Sequence, residues 1–158
     1  MKLRYAVSLA AVLVIAPVAK AVTNYSATLS GAQEVPAVAT TGSGSATLVL
    51  NDAGNQLAYT VTYSGLVGTL TASHIHKAPA GTNGGVLFGF SPPIGTKSGT
   101  FSGTITLTPA NVADLNAGLY YVNVHSTTFP GGELRGQIST APTGTTHTTW
   151  GRIKALLH

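Results

Sequence analysis

Apolar and polar residues alternate with a period of two in short runs along most of the chain. Such alternation is typical of β-strands that bury one face, and about eight such runs occur between positions 24 and 139. Turn signals such as "NDAGN" at 51–55 separate the runs. The pattern predicts an all-β fold, a single antiparallel, Greek-key-like β-sandwich or barrel. The predicted strands begin at Asn24, Gly44, Gln56, Leu70, Gly85, Gly99, Leu119 and Gly132.

One segment inside this domain has a helical pattern instead. The sequence "TPANVADLNAG" at 108–118 has Pro109 near its first position and Gly118 at its end. Proline is favoured at the first helical position, and glycine is favoured just after the last. We therefore predict a short helix here.

The N-terminal residues 1–21 have the features of a secretory signal peptide. Lys2 and Arg4 precede an apolar run, and Ala19-Lys20-Ala21 forms a small-x-small cleavage sequence. The apolar run of about 14 residues is shorter than the roughly 20 that cross a bilayer, so no transmembrane helix is expected in the mature chain. The predicted location is secreted or periplasmic.

The C-terminal residues 141–158 also leave the β pattern. A linker rich in threonine, proline and glycine leads to a short amphipathic tail, in which Trp150, Ile153 and Leu156 recur at helical spacing. This tail either packs on the domain or frays, or it docks on a membrane surface or a partner. The predicted folded domain is therefore 22–140.

Charge and cysteine content narrow the chemistry. Charged residues make up 8% of the chain, and without residues 1–21 five basic residues stand against four acidic ones. No clustered positive face remains for a nucleic acid. Because the chain has no cysteine, a metal ion would need histidine, carboxylate or backbone oxygen ligands.

The sequence "SHIH" places two of the five histidines one residue apart. Side chains on a strand alternate between faces, so His74 and His76 share a face while Ile75 points to the core. The sharing of a face makes the pair a candidate for metal binding.

Two later strands present polar groups in the same phase. Asn123 and His125 alternate with core valines in "LYYVNVHS", and Glu133 and Arg135 alternate with apolar residues in "GELRGQIS". The glycine-containing connection 127–132 predicts an antiparallel hairpin. A regular register would place His125 opposite Glu133, and Asn123 opposite Arg135.

These residues together predict a metal centre if the "SHIH" strand lies near His125. Three imidazoles with an open position suit zinc or copper, and Glu133 is a candidate fourth ligand or an acceptor that fixes a ring tautomer. Arg135 and Asn123 would lie beside this site. Alternatively, the histidines are exposed strand residues or hydrogen-bond to a neighbouring loop such as "APAGTNGG" at 78–85, and Glu133 with Arg135 forms a solvated ion pair.

Several segments closely resemble the CHRD domain, a family named from chordin. They are "GAQEVPAVATTGSGSATLVLN", "LAYTVTYSGL", "ASHIHKAPAGTNGGVLFGF", "SGTFSGTITL" and "LYYVNVHSTTFPGGELRGQI", and they cover roughly 27–138. The resemblance implies an extracytoplasmic β-sandwich but no defined biochemical activity. The characteristic positions fall on His74, His76, Asn123, His125, Gly131, Gly132, Glu133, Arg135 and Gly136. Lys77 departs from the small residue that often follows the histidine pair in the family.

A more distant likeness is to copper-zinc superoxide dismutase, whose barrel binds copper through an H-x-H strand. By that likeness His74, His76 and His125 would be copper ligands, and Arg135 would guide an anion. The chain has no bridging histidine, no recognisable zinc loop and no cysteine pair.

Three functions follow as hypotheses. The leading one is a binding module that holds a copper or zinc ion through His74, His76 and His125, with no catalytic residue assigned. The second is a copper redox enzyme similar to superoxide dismutase. The third is a metal-free adhesion or structural domain that binds an extracellular protein or polysaccharide.

Overall fold

A computed structural model describes residues 22–141 of the chain. This part contains nine strands, one α-helix and a short 3-10 helix at Gly31–Gln33. The strands are β1 (Thr23–Ser30), β2 (Ser43–Leu50), β3 (Gln56–Ser64), β4 (Leu70–Lys77), β5 (Val86–Gly89), β6 (Gly99–Thr106), β7 (Tyr120–Ser126), β8 (Leu134–Gln137) and β9 (Ser139–Thr140), and the helix is α1 (Pro109–Asn116). The eight predicted strands and the predicted helix are all present, and β9 is a short addition.

All nine strands belong to one antiparallel sheet. Its order is β5-β4-β7-β8-β1-β2-β3-β6, and β9 pairs with β1. The sheet curls into a nearly closed barrel, which confirms the predicted all-β class. The predicted hairpin at "NDAGN" joins β2 to β3, and Gly54 in this turn has a φ of 73° that favours glycine.

The alternating pattern produces the core directly. In β1, β2 and β3 every second residue is buried, and the register between these strands is continuous. Their outward residues and those of β6 are mostly serine and threonine, without a lysine, arginine, aspartate or glutamate. The apolar residues on the opposite faces fill the barrel interior.

Aromatic side chains close the space between the two ends of the sheet. Phe90, just after β5, lies with its ring centroid 4.3 Å from that of Tyr59 on β3. Phe90 also lies 5.7 Å from Phe101 on β6. Ring pairs at these separations add favourable contact beyond the burial of their area.

The helix α1 connects β6 to β7 across one end of the barrel. Thr108 caps its first turn by accepting a hydrogen bond from the backbone of Asn111, Pro109 occupies the first turn, and Leu115 is buried. Within residues 22–141 no helix has the length and apolar character to cross a membrane. The predicted signal peptide 1–21 and all but the first residue of the predicted linker and tail 141–158 lie outside the described residues.

Candidate metal centre

The two histidine-bearing strands are direct neighbours in the sheet. β4 pairs with β7 so that His74 faces Asn123 and Ala72 faces His125, which makes His74 and His125 diagonal neighbours on one face. One ring nitrogen from each of His74, His76 and His125 lies within 4.8 Å of the other two. The predicted convergence of the three imidazoles is therefore present.

Loops cover the face that carries these histidines. Only 8% of His76 and 8% of His125 is exposed, whereas His74 is half-buried. The sequence placed this polar face outside the core, which is correct, and it left binding of the histidines to the loop after β4 as an alternative, but it did not predict that the connection after β7 would also fold over the face. The centre is therefore a covered site whose more accessible side is that of His74.

Backbone carbonyls fix the tautomers of the two buried rings. His76 Nδ1 lies 3.0 Å from the Gly84 carbonyl oxygen, and His125 Nδ1 lies 3.0 Å from the Pro130 carbonyl oxygen. Because a carbonyl only accepts, each Nδ1 carries the proton and donates it. Each Nε2 is therefore an acceptor: that of His76 has no partner, and that of His125 accepts from His74 Nδ1. Donation from Nδ1 to a carbonyl is a common arrangement of metal-ligating histidines.

One pair of ring nitrogens has the spacing of ligands on a small transition-metal ion. His74 Nδ1 and His125 Nε2 are 3.2 Å apart. Ligands about 2 Å from a tetrahedral ion lie roughly 3.3 Å from each other, so this distance suits zinc or copper. His76 Nε2 is buried without a hydrogen-bond partner. A bound ion would satisfy this nitrogen, whose isolation costs about 1–3 kcal/mol.

The electrostatics keep all three rings neutral. Burial is the main cause that lowers the pKa of His74, His76 and His125, and the neighbouring histidines lower the pKa of His74 and His125 further. The charge of Arg135 also lowers the pKa of His76. Neutral imidazole is the form that metal ions bind, so this protonation state is compatible with a metal site.

Arg135 braces one side of the centre. It is 1% exposed, and its Nη2 donates to the Thr82 carbonyl at 2.8 Å while Nη1 donates to Asn83 Oδ1 at 3.2 Å. Its guanidinium lies over the Tyr121 ring, which in turn stacks on His76 with centroids 4.9 Å apart. The arginine therefore holds the loop after β4 and is not exposed to guide an incoming anion.

Glu133 has partners other than the histidines. Its Oε1 accepts hydrogen bonds from Thr40 at 2.6 Å and from the Val67 backbone at 2.7 Å, and its Oε2 accepts from Ser126. Burial acts to raise its pKa, but these hydrogen bonds lower it below the usual value. The structure does not bring this carboxylate into the histidine group.

The predicted register holds where the hairpin pairs. Asn123 lies opposite Arg135, and the pairing of β7 with β8 extends to Val124 and Leu134. Asn123 lies directly beside the histidines on the sheet, 4% exposed. Its amide Nδ2 lies 3.5 Å from Glu34 Oε2.

Glu34 is a residue that the sequence reasoning missed. It is 7% exposed, and burial raises its pKa to about 7 although the charge of Arg135 and the amide of Asn123 act to lower it. The sequence held a signal, because the chain has only four acidic residues and this one lies in the loop "GAQEVPAV" of the family-like segments. A carboxylate so rare in a chain is a candidate for a specific role.

The fold and the histidine group define an all-β, barrel-like domain with a covered three-histidine cluster. The family model for the CHRD domain matches residues 25–138 of the chain. The chain therefore belongs to the CHRD domain family, which confirms the resemblance predicted from the sequence. No curated protein matches the chain at a significant level.

Proposed function

We propose that this CHRD domain is an extracytoplasmic binding module that holds one copper or zinc ion through His74, His76 and His125. The observation that carries the proposal is the hydrogen bonding of the ring nitrogens. Nδ1 hydrogen bonds to carbonyls leave both buried Nε2 atoms as acceptors within the group. His76 Nε2 has no partner, and His125 Nε2 accepts only from the third ring, at His74 Nδ1. A buried structural histidine would ordinarily have its second nitrogen paired, and that of His76 is not.

The donor set favours copper or zinc over harder cations. Calcium and magnesium prefer oxygen ligands, whereas imidazole suits zinc and copper. Among divalent ions copper generally binds such a site most tightly. We therefore expect copper to displace zinc when both are supplied.

A binding role is better supported than a redox enzyme. The likeness to superoxide dismutase assigned Arg135 to anion guidance, but this side chain is 1% exposed and its guanidinium donates to loop oxygens. The three histidines could form a ligand shell for the ion, but the buried side chain of Arg135 does not provide a charged path for a substrate anion.

The test of metal binding uses the full chain purified without a nickel column and stripped with a chelator. We expect one copper or zinc ion per chain by elemental analysis, and a saturable titration near neutral pH. His125→Ala should weaken binding more than about 100-fold, because loss of a ligand exceeds the 10–100-fold effect of a supporting residue. His147→Ala is the matched control and should leave binding unchanged.

A wild-type protein that binds neither ion would remove the proposal. The metal-free adhesion domain would then be favoured if a triple alanine variant of His74, His76 and His125 kept the wild-type melting temperature.

The proposed location has its own test. Cells that express the full chain should release or export a product that begins at Val22, and deletion of residues 1–21 should retain it inside.

A further inference from the structure

The two strands at the ends of the sheet, β5 and β6, each pair on one side only. β5 has four residues, its pairing with β4 is irregular between Ile75 and His76, and Pro92 and Pro93 follow it closely. Short length, irregular pairing and proline are features that keep an edge strand from pairing with another chain. β6 has eight residues, none of which is a proline or carries a charge. Its free edge therefore lacks these protective features.

The backbone of β6 presents a regular row of polar groups at this edge. Leu107 donates its backbone N–H to the Asn55 carbonyl at 2.9 Å, and the antiparallel pairing with β3 continues from there in steps of two residues. The odd-numbered residues of β6 therefore bond to β3, and the N–H and C=O groups of the even-numbered residues point to the free edge. These residues are Thr100, Ser102, Thr104 and Thr106, and all four are exposed. Within residues 22–141 no other strand or loop forms a backbone hydrogen bond with them.

Two exposed charges lie at opposite ends of β6. Lys97 lies just before the first residue of the strand. Asp52 lies in the turn between β2 and β3, near the last residue of β6, because Gln56 at the start of β3 pairs with Thr106. The other charged residues of 22–141 are Lys77 and Asp114, which pair with each other, and Glu34, Glu133 and Arg135, which are buried. In this part of the chain, Lys97 and Asp52 are thus the exposed charges that have no ion-pair partner.

We propose that two copies of this chain pair through β6, edge to edge and antiparallel, about a two-fold axis. A pair centred on Gly103 places Thr100 opposite Thr106 of the second copy, and Ser102 opposite Thr104. The free N–H and C=O groups of all these residues then meet their counterparts in about eight hydrogen bonds. Threonine and serine side chains that lie opposite each other on a sheet also interact favourably.

The charges favour a second copy over another extended chain. An antiparallel pair brings the Lys97 end of each copy to the Asp52 end of the other, so opposite charges meet at both ends of the interface. The outward residues of β6 and of its neighbour β3 carry no charge that would oppose this approach. An eight-residue strand is about 27 Å long, and its pairing alone buries less than the roughly 1,200 Å² of a stable complex. We therefore expect a weak dimer, with a dissociation constant of about 10 μM to 1 mM, that does not depend on a bound ion.

The test uses the full chain stripped of metal, at low salt, from about 10 μM to 1 mM. Sedimentation should show a monomer that becomes a dimer over this range. Amide hydrogen exchange followed by NMR identifies the surface. The amides of Phe101 and Gly103 should be protected at every concentration, because they bond to β3. Those of Ser102 and Thr104 should exchange fast in the monomer and at least about tenfold more slowly in the dimer.

A charge swap tests the choice of partner. Lys97→Glu and Asp52→Lys each place like charges at both ends of the interface and should weaken the dimer at least about tenfold. The double variant restores opposite charges and should dimerise within about threefold of the wild type. Thr47→Lys adds a charge to the same face two strands from β6, and it is the control that should dimerise as the wild type does.

A proline variant tests the edge itself. Ser102→Pro removes one free N–H group and no hydrogen bond to β3, so it should weaken the dimer at least about tenfold in a folded chain. A chain that stays monomeric at 1 mM would overturn the proposal. So would a dimer in which the Ser102 and Thr104 amides still exchange fast, or a double charge variant that dimerises no better than the single ones.

Discussion

The guanidinium carbon of Arg135 lies 3.6 Å from the centre of the Tyr121 ring. The opposite neighbour of this ring is His76, which stacks on it at an interplanar angle of 10°. The Tyr121 hydroxyl also accepts a hydrogen bond from the backbone of Gly84, whose carbonyl fixes the His76 tautomer. Arg135 and Tyr121 therefore set both the position and the protonation of one candidate ligand.

Replacement of this arginine by lysine tests that arrangement. Arg135→Lys keeps the charge but loses the planar group that stacks and donates in several directions. We expect copper or zinc affinity to fall about 10–100-fold, measured by competition with a chromophoric chelator, because supporting residues contribute on this scale. Lys97→Met, which removes an exposed cation elsewhere, is the control. Unchanged affinity in Arg135→Lys would show that the stack does not position His76.

A second prediction concerns access to the centre from β5. Gly89 pairs with His74, the most exposed of the three histidines, and a Cβ on this glycine would meet nothing within 4 Å. Gly89→Val should fill this space without disturbing the strand. We expect azide to bind the copper-loaded variant at least about tenfold more weakly, as read from its charge-transfer absorption, with copper stoichiometry unchanged.

Gly85→Val is the matched control for access. A Cβ at Gly85 also meets nothing within 4 Å, and this glycine precedes β5. It should leave azide binding at the wild-type level. Equal azide affinity in Gly89→Val and the wild type would place the open side of the ion elsewhere.

The barrel and the histidine group were predictable from the sequence because both depend on period-two alternation. Tyr120, Val122 and Val124 entered the core as predicted, so His125 had to lie on the opposite face. Of the two neighbours of β7, the sequence predicted only β8, through the hairpin that joins them. The pairing of β7 with β4, which brings His74 and His76 to His125, depends on long-range contacts that alternation does not encode.

The cover over the site was not predictable in the same way. Loops lack periodicity, so a hydrogen bond from the histidines to the loop 78–85, which His76 makes with the Gly84 carbonyl, was only an alternative, and the contact of His125 with the Pro130 carbonyl was not predicted. The same limit applies to Glu133. Alternation placed it near His125, but the local turn directs its carboxylate to Ser126 and Thr40.

A third prediction uses Glu133. The pKa of Glu133 is lower in the folded protein than its usual value of 4.5. Ionised Glu133 therefore stabilises the fold at pH values above 4.5, and this stability is lost as the pH falls through the folded pKa. Glu133→Gln places a donor against groups that donate, and we expect a loss of about 2–3 kcal/mol at neutral pH. Urea denaturation should show that the loss shrinks in acid. Asp52→Asn is the control and should show no such loss.

The same variant separates a structural role of Glu133 from ligation. Metal affinity of folded Glu133→Gln should stay within about twofold of the wild type, because its carboxylate is hydrogen-bonded away from the rings. A loss as large as that of His125→Ala would instead make Glu133 a ligand.

A fourth prediction concerns Glu34, where the sign is reversed. Burial raises the pKa of Glu34 from 4.5 to about 7, so the unfolded chain releases this proton at lower pH than the folded protein does. The contribution of Glu34 to stability is therefore present below pH 4.5 and falls as the pH rises to about 7.

Glu34→Gln cannot ionise and lacks this decline. The free energy of unfolding of Glu34→Gln relative to the wild type should thus rise by up to about 3 kcal/mol between acid and pH 8. Urea denaturation at a series of pH values measures this difference, in which the histidine contributions cancel. Asp52→Asn should run parallel to the wild type, and a parallel curve for Glu34→Gln would mean that Glu34 ionises as readily in the folded protein as in the unfolded chain.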